Sequence, residues 1–175
     1  MIMFRTGVLT AAVMALMVCS TATRADPVTV NINGNVVASP CDINSDSVTK
    51  TIDLGNGSPI QASNLQTAGS YTNWVLFDIN IVNCPAGTTK ATIQFHGSPD
   101  ANSPADMYAN TGTATNVAVQ LQGTGGQQFG DGKTFTATIA NSAYSYHLRT
   151  RAYSTNGGVT PGTISAVVTA SFTYQ

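Results

Sequence analysis

The last thirteen residues, TISAVVTASFTYQ (163–175), decide the fold. Ile164, Ala166, Val168, Ala170, Phe172 and Tyr174 fall on one parity, with Thr163, Ser165, Thr169, Ser171 and Thr173 on the other, broken only by Val167. Such alternation is the mark of a strand with one buried face. This strand runs to the penultimate residue, so nothing after it covers its outer edge. A long apolar edge left bare invites pairing with another chain. At the other end, VTVNINGNVV (28–37) repeats the pattern, with Val28, Val30, Ile32, Gly34 and Val36 on one parity. A free tail of that kind needs a sheet to pair with. Burying its four apolar side chains stabilises by at most about 6–12 kcal/mol.

Period two also dominates between these ends. Strands are expected over Val48–Leu54, closed by Gly55-Asn56-Gly57, and over Trp74–Cys84, with Val75, Phe77, Ile79 and Ile81 on one face. Further strands are expected over Ala91–Gly97, around Val117, Val119 and Leu121, over Thr134–Ile139 and over Tyr144–Tyr153. Residues 98–115 are rich in Pro, Ser, Asn, Asp and Thr and read as a long surface loop, with Asp100 and Asp106 solvated. Asn156-Gly157-Gly158 is a turn signal. Seven or eight short strands separated by turns indicate an all-β sandwich with no interior helix.

Composition agrees. Charged residues make up 9% of the chain, against about 25% in an average domain. All eight acids are Asp. No basic stripe is present to attract nucleic acid. Arg5, the apolar run Val8–Val18 and the small residues up to Ala25 have the three-part layout of a secretory leader. The run is shorter than the roughly 20 residues needed to span a bilayer. Cleavage is expected after Ala25, with Ala22 as the alternative. Val18 before Cys19 argues against acylation of that cysteine. Residues 1–25 are therefore expected to be removed, leaving Asp26–Gln175 as an exported single domain. Cys41 and Cys84 are then the two remaining cysteines, and in an oxidising compartment they read as one disulfide.

Signs of catalysis are missing. The sequence has no nucleophile elbow, no zinc-protease motif and no phosphate loop. His96 and His147 stand alone on strands, without metal-ligand spacing. Asp42, Asn44, Asp46 and Asp53 sit at positions 1, 3, 5 and 12 of a calcium-loop spacing. Ser47 replaces the required Gly, so these carboxylates read as turn formers. Tyr71, Trp74 and Phe77 suggest a sugar platform, but Trp74 opens a core strand and reads as packing. No cofactor and no metal is expected.

Taken together, the segments 28–37, Pro40-Cys41, Ile52-Asp53-Leu54-Gly55, Val82-Asn83-Cys84-Pro85, Thr163–Val167 and Phe172–Gln175 resemble subunits of type 1, chaperone–usher fimbriae, especially small tip-adaptor subunits. Tyr174 matches that family's penultimate aromatic, and Gly162 its glycine fourteen positions from the C-terminus. The resemblance implies an incomplete immunoglobulin-like β-sandwich lacking its final strand, completed by a donor strand. It implies that residues 26–38 are the donor extension, inserting Val28, Val30, Ile32, Gly34 and Val36 into a neighbour. Residues 39–175 would be the pilin domain, with Gly162, Ile164, Val168, Ala170, Phe172, Tyr174 and Gln175 forming the acceptor groove and chaperone contact. The implied partners are a periplasmic chaperone, an outer-membrane usher and neighbouring subunits joined head to tail in a cell-surface fimbrium. Two alternatives remain: a major shaft subunit, or a stand-alone secreted sugar-binding sandwich.

Overall fold

The computed structural model describes residues 31–103 and 105–175. Val28, Val30 and the leader lie outside the described residues. The chain divides into two units, one ending at Asn35 and one running from Val36 to Gln175. In the first, residues 31–35 carry no regular secondary structure, and Ile32 is 90% exposed.

The second unit is a sandwich of two antiparallel sheets. One holds β1 (Asp42–Ile43), β3 (Val75–Val82), β8 (Tyr144–Ser154), β6 (Ala118–Gly123) and β5 (Met107–Ala109) in that order, with β2 (Ser70–Tyr71) also pairing with β8. The other is short: β7 (Thr134–Thr138), β4 (Lys90–Gly97) and β9 (Val168–Tyr174). Between the sheets lie Ile81, Ala91, Ile93, Phe95, Tyr108, Leu121, Phe129, Tyr146 and Leu148, all buried. Most come from β3, β4, β6 and β8, whose inward positions alternate as two facing pleated sheets require, while Tyr108 comes from β5 and Phe129 from the connection between β6 and β7. A smaller cluster around Leu65, Ala114, Val117, Ala152 and Val159 closes one end. The Cys41–Cys84 disulfide ties the start of the unit to the end of β3.

The structure corrects four sequence expectations. No strand forms over Val48–Leu54. Asn44 accepts the Asp46 N–H at 3.2 Å and caps a single helical turn, α1 (Ser45–Val48). A further one-turn 3₁₀ helix, Ala62–Leu65, follows, so the connections do hold short helices. Beyond α1 the chain keeps its period of two, with Ile52 and Leu54 half-buried and Thr51 and Asp53 exposed, but no strand among the described residues pairs with it. Residues 98–115 are not merely a surface loop. They contain β5, and Asp106 is 2% exposed because its Oδ2 accepts from Gln120 Nε2 at 2.7 Å and Gln122 Nε2 at 2.6 Å. The final strand starts at Val168 rather than Thr163, because residues 163–165 bond instead to the loop 110–114. The Asn56-Gly57 and Gly157-Gly158 turns do form, all four residues having positive φ.

Candidate functional site: the open edge of β9

β9 is held on one side only. Its seven residues pair with β4 from Gly97↔Val168 to Ala91↔Tyr174, and on the other side it has no partner strand among the described residues. Its inner parity, Val168, Ala170, Phe172 and Tyr174, is half-buried, as are Ile164 and Ala166 before it. A strand with a covered core face would bury these side chains fully, as Ile93 and Phe95 are buried on β4. Phe172 lies 5.9 Å from Tyr146 and 6.4 Å from Tyr174, ring centre to ring centre. Beneath them Tyr146 also meets Tyr144 at 4.8 Å and Phe135 at 6.3 Å, so the cleft beside β9 has an aromatic floor. The sequence flagged Tyr146 as a strand residue but gave no sign of this aromatic stack, which depends on β8 crossing beneath β9.

The chain that leaves Cys41 flanks this cleft. The Tyr174 hydroxyl donates to the Cys41 carbonyl at 3.5 Å, and burial raises its pKa. At the opposite end Leu54, Ile60 and Ile164 pack on one cluster. Between these points no backbone hydrogen bond joins residues 44–54 to β9. Residues 49–54 and β9 thus border a strip of half-buried apolar side chains without being paired to each other.

Both termini of the β9 segment are fixed. Gly162 approaches the backbone so closely that a Cβ there would fall on Thr113 and Ala114. Thr113 and Thr163 then exchange bonds: Thr113 N–H donates to Thr163 Oγ1 at 3.0 Å and Thr163 N–H to Thr113 Oγ1 at 2.9 Å. At the far end the main-chain oxygen of Gln175 accepts the backbone N–H groups of Thr89 at 2.6 Å and Lys90 at 2.9 Å. The structure therefore brings together Gly162, Ile164, Val168, Ala170, Phe172, Tyr174 and Gln175 along one edge. It places Ile32, Gly34 and Val36 on a stretch without regular secondary structure, with Val36 fully exposed.

The remaining candidates lie elsewhere. His96 is 3.9 Å from Asp131, and Asp78 Oδ1 lies 2.7 Å from His147 Nδ1, where it accepts when that nitrogen carries the proton; both pairs are solvent-exposed. Asp53 accepts from Gly55 N–H at 2.9 Å and Gly57 N–H at 2.7 Å, so it forms the turn, and these bonds lower its pKa. Trp74 is not core packing: it is half-buried before β3, with the guanidiniums of Arg149 and Arg151 at 4.4 and 4.1 Å from its ring centre.

An immunoglobulin-like sandwich with an unpaired final strand and a half-covered core is the form of a chaperone–usher pilus subunit. The family model described as "Fimbrial protein" matches residues 30–175, and the chain belongs to that family. It is 36% identical over 171 residues to Protein FimG of Escherichia coli (strain K12), covering 97% of this chain and 96% of that protein. It is 35% identical over 176 residues to a type-1 fimbrial protein, A chain, of Escherichia coli, covering 92% and 94% respectively. Among solved structures it is similar to the P pilus rod subunit PapA, with a TM-score of 0.64 and 26% identity, over 78% of this chain and all of that one.

Proposed function

We propose that this chain polymerises by strand exchange, with residues 26–38 entering the β9 cleft of a neighbouring subunit while its own β9 accepts the equivalent segment of another. The observation that carries the reading is the half-buried parity of Val168, Ala170, Phe172 and Tyr174 beside an edge with no partner strand. An added strand supplies backbone hydrogen bonds along the edge, and its alternate side chains supply the missing core. Val28, Val30, Ile32 and Val36 have the required spacing. Gly34 has open space around its Cα in its own chain, so any demand for a small residue there comes from the acceptor. A head-to-tail contact of this kind does not close on itself and builds a filament.

Before assembly the same edge needs a temporary occupant. A periplasmic chaperone offering a strand, followed by delivery to an outer-membrane usher, meets that need. The role is structural rather than catalytic, in a surface fimbrium that supports adhesion. The adaptor position near the tip follows from the likeness of the chain ends to small adaptor subunits. The similarity to a type-1 A chain and to a rod subunit favours a second reading, a place in the shaft. Labelling of an epitope-tagged chain separates the two, since an adaptor marks fibre ends and a shaft subunit marks their length. The donor role is tested by deleting residues 26–38. The truncated chain should still be recovered with its chaperone but should end fibres wherever it enters them; normal fibre extension by the truncated chain would sink the reading.

A further inference from the structure

The outer face of the larger sheet carries a second constellation, away from β9. Arg149 and Arg151 project from alternate positions of β8 on that face. The Arg151 guanidinium lies 3.7 Å from the ring centre of Tyr71, 4.1 Å from Trp74 and 5.4 Å from Tyr153. Arg149 shares the Trp74 ring at 4.4 Å. Each arginine is also fixed from below. Gln120 Oε1 accepts from Arg151 Nε at 2.6 Å, and Gln122 Oε1 accepts from an Arg149 terminal nitrogen at 2.8 Å. Both amides are oriented in turn by donating to the buried Asp106 carboxylate. The whole array holds two half-buried guanidiniums in fixed positions on that face.

Their charge has no direct partner. Among the described residues the carboxylate ion pairs involve His96 and His147, and neither arginine is in one. The Nε of Arg149 is buried without any acceptor. Burial also lowers the pKa of Arg151, an effect partly offset by the Tyr71 hydroxyl. A guanidinium has five donors in a planar fork that matches a carboxylate. Stacking on aromatic faces leaves the edges of that fork available.

Beside the arginines a cleft opens, bordered by Tyr71 and Trp74 and lined with Asn56, Ser58, Gln61, Asn64, Thr72 and Asn73. Amides and hydroxyls of this kind exchange hydrogen bonds with sugar hydroxyls, and aromatic rims pack on sugar rings. We propose that this face binds a carboxylate-bearing glycan, with the acid on Arg149 and Arg151 and the neighbouring sugar hydroxyls in the Asn-rich cleft. The inference rests on the surface position proposed above but not on strand exchange. β9 lies in the other sheet, and neither arginine borders its cleft.

The full processed chain, recovered folded from the periplasm, has Trp74 as its sole tryptophan, and its fluorescence reports on the site directly. A hyaluronan tetrasaccharide, carboxylated but free of sulfate, should give a saturable change. Neutral chitotetraose and a di-aspartate peptide should not. Arg149→Gln or Arg151→Gln should weaken binding by about tenfold or more, as expected for loss of a charged hydrogen bond. Should either fail to fold, Asn73→Asp, at an exposed position, should weaken binding by repulsion. No response to the tetrasaccharide overturns the proposal. An equal response to chitotetraose removes the role of charge, and an equal response to the peptide makes the face a subunit contact; both overturn it. Fibre incorporation is scored separately. A chain that assembles without binding sinks this inference alone, and one that binds without assembling sinks the strand-exchange reading alone.

Discussion

A glycine without positive φ shows how a single residue can fix a cleft. Gly162 needs no left-handed backbone; it needs the absence of a Cβ, because Thr113 and Ala114 occupy that space. Gly162→Ala must push the 162–165 segment off the 110–114 loop and misplace Ile164. The expected cost is about 1–3 kcal/mol, as for overpacking elsewhere, read as a lower denaturation midpoint. Buried tyrosines set the alkaline limit in a similar local way. Tyr146 donates to the Ala91 carbonyl and Tyr108 to the Phe129 carbonyl, each at 2.8 Å, and burial raises both hydroxyl pKa values well above 10. In the folded chain they stay protonated while in the unfolded chain they ionise near pH 10. The unfolded state then binds fewer protons, so stability falls as pH rises above about 10. Chemical denaturation between pH 8 and 11 should show this decline, and Tyr146→Phe should flatten it while costing about 1 kcal/mol at neutral pH. A wild-type profile that stays level past pH 11 would refute the assignment.

Elements explain what the sequence could and could not disclose. β3, β4, β7, β8 and β9 are all written in period-two alternation with turn residues between them. Phe172 and Tyr174 could be assigned to one face of the last strand because they continue the parity of Ile164 to Ala170. Segment 49–54 has the same alternation, yet it forms no strand, because alternation records which side chains face inward and not whether an edge is present to pair with. Asp106 and Trp74 failed for a different reason. Their partners, Gln120, Gln122, Arg149 and Arg151, are distant in sequence and become neighbours only through the β6–β8 register. The unpaired state of 49–54 makes a prediction of its own. When a peptide copying residues 26–38 fills the cleft, amide exchange should slow on the open edge of β9 and along 49–54, and stay unchanged between β3 and β8. Protection confined to β9 would mean that the second wall takes no part in the site.

Across the whole molecule, the imbalance between the sheets matters most. A larger sheet packs against one of three strands, β7, β4 and β9. The core beneath β9 is therefore finished only when a further strand arrives. The disulfide, joining residues 43 positions apart, stabilises by about 4 kcal/mol on the loop-entropy model. It anchors the strand that leads into the cleft wall but contributes no side chain to the cleft itself. Stability should accordingly depend on an occupant. A free peptide at one hundred times its Kd stabilises the form that binds it by about 2.7 kcal/mol. For a domain of this size that corresponds to a rise of about 5–10 °C in Tm. The same peptide with Ile32 replaced by Asp should give little or none of this shift, since it would bring a charge into an apolar cleft. A thermal midpoint that is already high and indifferent to both peptides would mean the edge is filled within the chain, and the filament would then need a different contact.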